Sequence, residues 1–239
     1  MTDALEAHLR HQIDHSRRFF WHRLRWRAVR SYLPEGSFEL VDVGAGAGLL
    51  GAFLADDRPG ATYRFIEPIE SLRQFLRLSY GDGADAADDP DFGPAQFVTL
   101  LDVLEHQRDD RAFMASLVAK MAPGSTLILT VPAFERLWSQ WDVALGHFRR
   151  YDRAGLLACL GGLPLTVVET SYLFPEMVPL ARWRKRRRVT APSEPAGGDA
   201  EFPELPGLVN DVLYGLGSAS LALRARWGTG TSLFLVAKV

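Results

Sequence analysis

The run Leu40-Val41-Asp42-Val43-Gly44-Ala45-Gly46-Ala47-Gly48-Leu49-Leu50 constrains the fold more than any other part of the chain. An apolar stretch ends in three glycines at every second position, then passes into an alanine- and leucine-rich helical pattern. That order spells a buried parallel strand, a tight turn and a helix N-terminus at which a ligand can meet bare backbone. Glycine removes Cβ, permits φ > 0 and lets N–H groups approach closely. A dinucleotide fingerprint, G-x-G-x-x-G, needs its third glycine at position 49, which is Leu49. The pattern is instead D-x-G-x-G-x-G, starting at Asp42. On the turn alone, an ordinary glycine-rich βα connection stays open.

Three further segments narrow the reading. Thr62 to Ile66 reads as a second strand ending at Glu67-Pro68. A carboxylate there can accept both ribose hydroxyls of a nucleoside lying over the glycine turn, although a solvated loop acid is the plain alternative. Phe97 to Leu101 reads as another strand, followed by Asp102-Val103-Leu104-Glu105-His106. Met121-Ala122-Pro123-Gly124-Ser125 then turns the chain into Thr126 to Pro132, a β-branched strand.

In this order, from Phe38 to Pro132, the four segments resemble the class I S-adenosylmethionine (SAM)-dependent methyltransferases. The resemblance implies a doubly wound α/β fold with a mostly parallel seven-stranded sheet, helices on both faces and an antiparallel last strand. It implies SAM as cofactor. By position, Asp42, Gly44, Ala45, Gly46 and Gly48 form the cofactor turn, and Glu67 with Pro68 lies at the ribose. Leu101, Asp102 and Val103 line the loop beside the cofactor. Residues 4–32 read as helix within an N-terminal lid over 1–36, from which Trp21 with Arg23 or Arg25 approaches the SAM carboxylate. Packing on the sheet edge is the simpler role for any one of these arginines. Where the family carries a short third strand and an acid near the adenine, Gly81 to Asp91 is acidic and turn-rich without an apolar run. Asp82 is the nearest positional match, and the sheet edge is expected to be shortened or replaced by a loop.

The stretch 133–151 is the expected substrate loop, because the loop leaving a strand's carboxyl end faces the ligand crevice. It carries Trp138, Trp141, Asp142, His147, Arg149, Arg150 and Tyr151. This run resembles a subgroup of bacterial class I methyltransferases associated with cell-envelope saccharide or lipid assembly, which implies a small-molecule or lipid-linked acceptor. Trp138, Trp141, Asp142, Arg150 and Tyr151 are the candidate acceptor contacts. The competing role is a helix whose tryptophans fill the core while its arginines pair with acidic loops. For a hydroxyl acceptor a base is useful, and neutral histidine suits it. His147 is the first candidate and His106 the second. The default is a site without metal, with Glu105 and His106 shaping the cofactor loop. Asp102, Glu105, His106 and His147 are the alternative, as ligands of a divalent cation, since oxygen and imidazole donors suit magnesium, manganese or zinc.

The rest of the chain sets limits. With 239 residues, 47% of them hydrophobic, it is expected to form one elaborated domain over 1–239. A net charge of −2 offers no general attraction to nucleic acid. One cysteine, Cys159, excludes an internal disulfide and suits a reducing cytoplasm. The first residues lack the basic-then-apolar order of a signal peptide. Asp152 is expected to cap a helix through Cys159. Leu165 to Thr170 and Thr231 to Lys238 read as an antiparallel strand pair, with a helix from Leu208 to Arg226 before the last strand. Residues 182–206 form a basic segment and linker. Trp183 to Arg188, beside the apolar Tyr172 to Leu180, is either a solvated insertion or a peripheral contact with an anionic lipid surface. Two other functions remain in view: an NAD(P)-dependent oxidoreductase, against which Leu49 argues, and a non-catalytic SAM-binding protein.

Overall fold

The computed structural model describes residue 11 and residues 13–89, 91–186 and 205–239. Its sheet contains β1 (Phe38–Val43), β2 (Ala61–Ile66), β3 (Phe97–Leu101), β4 (Thr126–Pro132), β5 (Thr166–Leu173) and β6 (Ser232–Lys238). The strand order is β2-β1-β3-β4-β6-β5. β1 to β4 pair in parallel, and β6 runs antiparallel to both β4 and β5. β5 is therefore parallel to the first four strands, and five strands bring their carboxyl ends to one edge.

The residue pattern explains this order. β4 is buried at every position, and β1 at every position except Glu39, as expected of central strands covered on both faces. Alternate side chains feed two cores. Phe38, Leu40, Ile128, Phe234 and Val236 pack under α1 (Phe20–Arg30) and α2 (Leu49–Asp57), with Leu221 of α8 (Gly207–Ala222) beside them. Val41, Val43, Leu127, Leu129, Leu233 and Leu235 face the other way, toward α4 (Asp110–Ala119) and α6 (Arg153–Leu160). α3 (Glu70–Tyr80) lays Phe75 and Leu76 against the glycine-turn end of the sheet.

Helix ends behave as the sequence predicts. The Asp152 side chain accepts from Gly155 N at 2.7 Å, and Gly161 closes α6. α8 (Gly207–Ala222) packs on α1, and its Asn210 accepts from Phe20 N at 2.8 Å and donates to Arg18 O at 3.0 Å. Asn210 thus interrupts an apolar run in order to hold the start of α1. No described helix is long and apolar enough to cross a membrane.

The described sheet has six strands, against the seven implied by the resemblance. At the position of the missing strand there is a short 3₁₀ turn, Asp82–Ala84, and a single parallel bridge between Phe65 and Asp85. Asp85 is drawn into ion pairs with Arg73 and Arg77 of α3. Without an apolar run, this segment buries the small side chains of Ala84 and Ala86 and is otherwise held by charge pairs. α7 (Val178–Arg186) carries the first part of the basic segment. Arg187, Arg188, most of the 182–206 linker and the first residues of the N-terminal lid lie outside the described residues.

Candidate functional site

The carboxyl edge of the sheet concentrates backbone that few residues tolerate. Gly44, Gly46 and Gly48 have φ of 74°, 57° and 84°. Among the described residues, three that are not glycine also have positive φ: Asp102 at 59°, Phe134 at 60° and Phe174 at 58°. Each follows the carboxyl end of a strand, β3, β4 and β5 in turn. Strain of this kind persists where surrounding contacts over-determine it, and it clusters at sites.

The glycine turn is built against the end of β2. Gly44 N and Ala45 N donate to Ile66 O at 2.8 and 3.2 Å. Glu67, only 4% exposed, accepts from Gly46 N and from Ile69 N, both at 2.8 Å. The acid expected at the ribose is thereby aimed at the turn, with Pro68 exposed beside it. A Cβ on Gly44 would lie 2.5 Å from Val103 Cγ2, so the turn and the loop after β3 are in direct contact. Asp42 lies beneath them, accepting from Thr99 Oγ1 at 2.7 Å and Tyr63 OH at 3.1 Å. Burial, with the Asp42 charge, pushes the Tyr63 phenol well above its usual range, so it stays a donor.

Asp102 is tied from two sides. Its carboxylate forms an ion pair with Arg25 of α1 and accepts from Thr130 Oγ1 of β4 at 3.0 Å. Half-buried Leu101, just before it, packs into the core under α1. Of the two lid arginines considered from sequence, Arg25 reaches this edge. Arg23 lies over the Tyr214 ring at 3.6 Å, on α8. Trp21 stacks on strained Phe174 at 3.8 Å. Asp82 is exposed in its 3₁₀ turn, away from these contacts.

The loop after β4 supplies the opposite wall. Ser139 starts α5 (Gln140–Ala144) with a capping box closed by Asp142. The Asp142 side chain is fully buried and serves more than the cap. His147 Nδ1 lies 3.0 Å from Oδ1, and Arg150 donates to both oxygens at 2.7 and 3.0 Å. Burial opposes ionisation of Asp142, but the hydrogen bonds from His147 and Arg150 outweigh it and hold the carboxyl at about 2. Sequence placed Asp142 and Arg150 at the acceptor. The structure turns them toward each other and toward His147, whose ring they fix. With Nδ1 bonded to a carboxylate, the proton sits on Nδ1 and Nε2 is left as the basic nitrogen.

His147 Nε2 lies 4.0 Å from Glu105 Oε1, and the His147 ring meets His106 edge-on at 4.7 Å. The hydrogen bond from Phe148 N to Glu105 O, at 2.8 Å, joins the two loops. Burial, then the Asp102 charge, raises the Glu105 carboxyl well above its ordinary value. Burial and neighbouring His147 lower the His106 imidazolium, which favours the neutral ring.

Tyr151 is 4% exposed and donates to Asp110 Oδ2 at 2.7 Å, deep between α4 and β4. It lies in the core, away from the acceptor face expected from sequence. Tyr151→Phe should therefore cost about 1 kcal/mol of stability and leave cofactor affinity unchanged, as read by thermal melting and calorimetry. A weakened cofactor complex at unchanged melting temperature would contradict that placement. Trp138 and Trp141 are half-buried along the same loop.

A protein-family model for a methyltransferase domain matches residues 5–170. No curated protein sequence matches the chain. Among solved structures, a SAM-dependent methyltransferase from Mesorhizobium loti is 13% identical, with TM-score 0.57, covering 90% of this chain and 98% of that one. A second, from Archaeoglobus fulgidus, is 15% identical with TM-score 0.54, covering 91% and 94%. Geranyl diphosphate C-methyltransferase from Streptomyces coelicolor A3(2) is 12% identical with TM-score 0.58, covering 91% and 76%. At such identities the likeness is one of fold.

Proposed function

Because this chain belongs to the methyltransferase-domain family and is a SAM-dependent methyltransferase, we propose that it methylates an oxygen of a small molecule or of a lipid or saccharide precursor. The observation that carries the reading is the meeting of two walls at one sheet edge. On one side, the Gly44–Gly48 turn is backed by Glu67; on the other, His147 is held by Asp142.

The bound cofactor supplies a methyl group on a sulfonium, already activated toward attack by an acceptor oxygen. The chain's own task is then to hold two reactants in line and away from water. Gly44, Ala45, Gly46 and Gly48 present backbone to the cofactor, and Glu67 accepts its ribose hydroxyls. Arg25 and Asp102 form a charge pair over the loop of Leu101 and Val103, so the lid helix is tied to the cofactor loop. Trp138 and Trp141 offer flat apolar surface to the acceptor. His147 Nε2, with His106 beside it, receives the hydroxyl proton.

The oxygen acceptor is proposed because a histidine whose second nitrogen is fixed by a carboxylate is suited to deprotonating a hydroxyl. Contact of the basic Trp183–Arg188 segment with an anionic lipid surface would suit a lipid-linked acceptor.

Glu67→Ala should weaken SAM and S-adenosylhomocysteine together, by about 1.5–3 kcal/mol. Calorimetry with both ligands checks this. Weakening confined to an adenine-modified analogue would move Glu67 to the base. The acceptor class is tested by a methyl-transfer screen over envelope saccharide and lipid precursors and small phenols. Transfer to nitrogen or carbon acceptors alone would overturn the oxygen assignment.

A further inference from the structure

We infer that Glu105, His106 and His147 form a binding site for a divalent transition-metal cation. Each offers one donor atom, and the three atoms lie within 4.8 Å of one another. Ligands on a common ion at about 2.1 Å stand roughly 3–3.5 Å apart, so closure needs side-chain rotations of about an ångström.

The buried carboxylate is the strongest sign. The Glu105 side chain has no exposure, and neither carboxylate oxygen has a hydrogen-bond partner. A buried acid left so bare is uncommon, because removing it from water is costly without compensation. Asp142, equally buried at the other nitrogen of the His147 ring, shows the usual solution, with donors from Arg150, Ser139 and His147. For Glu105 the groups within reach are two imidazoles, neither at hydrogen-bond distance. A cation between them would satisfy all three.

The surroundings fit a metal centre in a second respect. A ligating histidine commonly gives its other ring N–H to a carboxylate, which fixes the ring and raises its basicity. The Asp142–His147 pair has that form, and the Arg150 fork immobilises Asp142. The two halves of the site come from separate loops, held together by Phe148 N donating to Glu105 O. Asp102, which the sequence grouped with these residues, is engaged by Arg25 and Thr130 and stands outside the set.

Two imidazoles and one carboxylate leave coordination positions open and suit manganese, iron, cobalt or zinc better than magnesium or calcium. Glu105 sits at the floor and exposed His106 at the rim, so the open positions face outward. In a chain holding the cation, His147 Nε2 would be a ligand and no longer the proton acceptor: the ion would polarise the acceptor hydroxyl, whose proton passes to solvent. That last role rests on the proposed methyl transfer; the binding site does not.

The full chain, treated with chelator and exchanged into metal-free buffer, is titrated with Co(II), Mn(II) and Zn(II) by calorimetry, with cobalt also followed by visible absorption. One ion per chain is expected for at least one of these metals. Glu105→Gln and His147→Gln should lower affinity 100-fold or more. Asp142→Asn should lower it about 10–100-fold, as loss of a ligand's orienting partner does. Melting in chelator checks that each variant folds, and added metal should raise the melting temperature of wild type but not of Glu105→Gln. The absence of saturable binding by wild type to any of the three ions would overturn the site, as would Glu105→Gln binding like wild type. SAM affinity is read on the same samples without acceptor. Its loss in wild type would defeat the proposed reaction while leaving the cation result standing.

Discussion

Gly46→Val should reduce SAM binding by ~100-fold or more while the domain still folds. Gly46 has φ of 57° and donates its N–H to Glu67, so it sets both the shape of the turn and the aim of the ribose acid. A β-branched residue is strained at this φ by about 1–3 kcal/mol, and every 1.4 kcal/mol lost from binding is tenfold. Valine also adds bulk where the backbone must lie open to the ligand. Moving the turn releases Glu67, so the ribose contact fails with it. Circular dichroism and melting establish that the variant is folded, and calorimetry reads the affinity. Unchanged affinity in a folded Gly46→Val protein would remove Gly46 from the site.

His147→Ala should lower turnover ~10²–10⁴-fold with SAM affinity nearly intact. The ring lies across the sheet edge from the glycine turn, and its loss leaves Asp142 with Arg150 and Ser139 as partners. The protein should therefore remain folded, at a cost of about 1–2 kcal/mol for the missing hydrogen bond. The fall in turnover is expected whether His147 takes a proton itself or holds a cation. Chelation separates the two: wild type that loses activity in chelator and regains it with added metal points to the cation. A stable His147→Ala enzyme with full activity would end the assignment. Parallel loss of stability and SAM binding would make the residue structural.

How much of this was legible in the sequence depends on how local the cause is. The glycine turn and its flanking elements are local: spacing, apolar runs and the Pro123-Gly124 turn specify them, and each lies where expected. The shortened edge was legible for the same reason, since a segment lacking an apolar run cannot make a buried strand. That Asp85 would organise it was not, because its role depends on Arg73 and Arg77 across the α3 packing. Asp142 is the clearest case of non-local control. In the sequence it sits among aromatic and basic residues in a loop facing the ligand crevice. Only the fold brings Arg150 back onto it and turns the pair inward. Tyr151 resisted reading likewise, because its partner Asp110 comes from α4. The Arg25–Asp102 tie was half visible, as one of two lid arginines, because helix register alone cannot say which one reaches β3.

The most direct test of the central claim is a calorimetric titration of the full chain with SAM, and separately with NAD(H) and NADP(H). Saturable SAM binding near one molecule per chain, weakened in Glu67→Ala and weakened ~100-fold or more in Gly46→Val, with no binding of either nicotinamide cofactor, is the predicted result. Saturable binding of NAD(H) or NADP(H) without SAM would contradict the account.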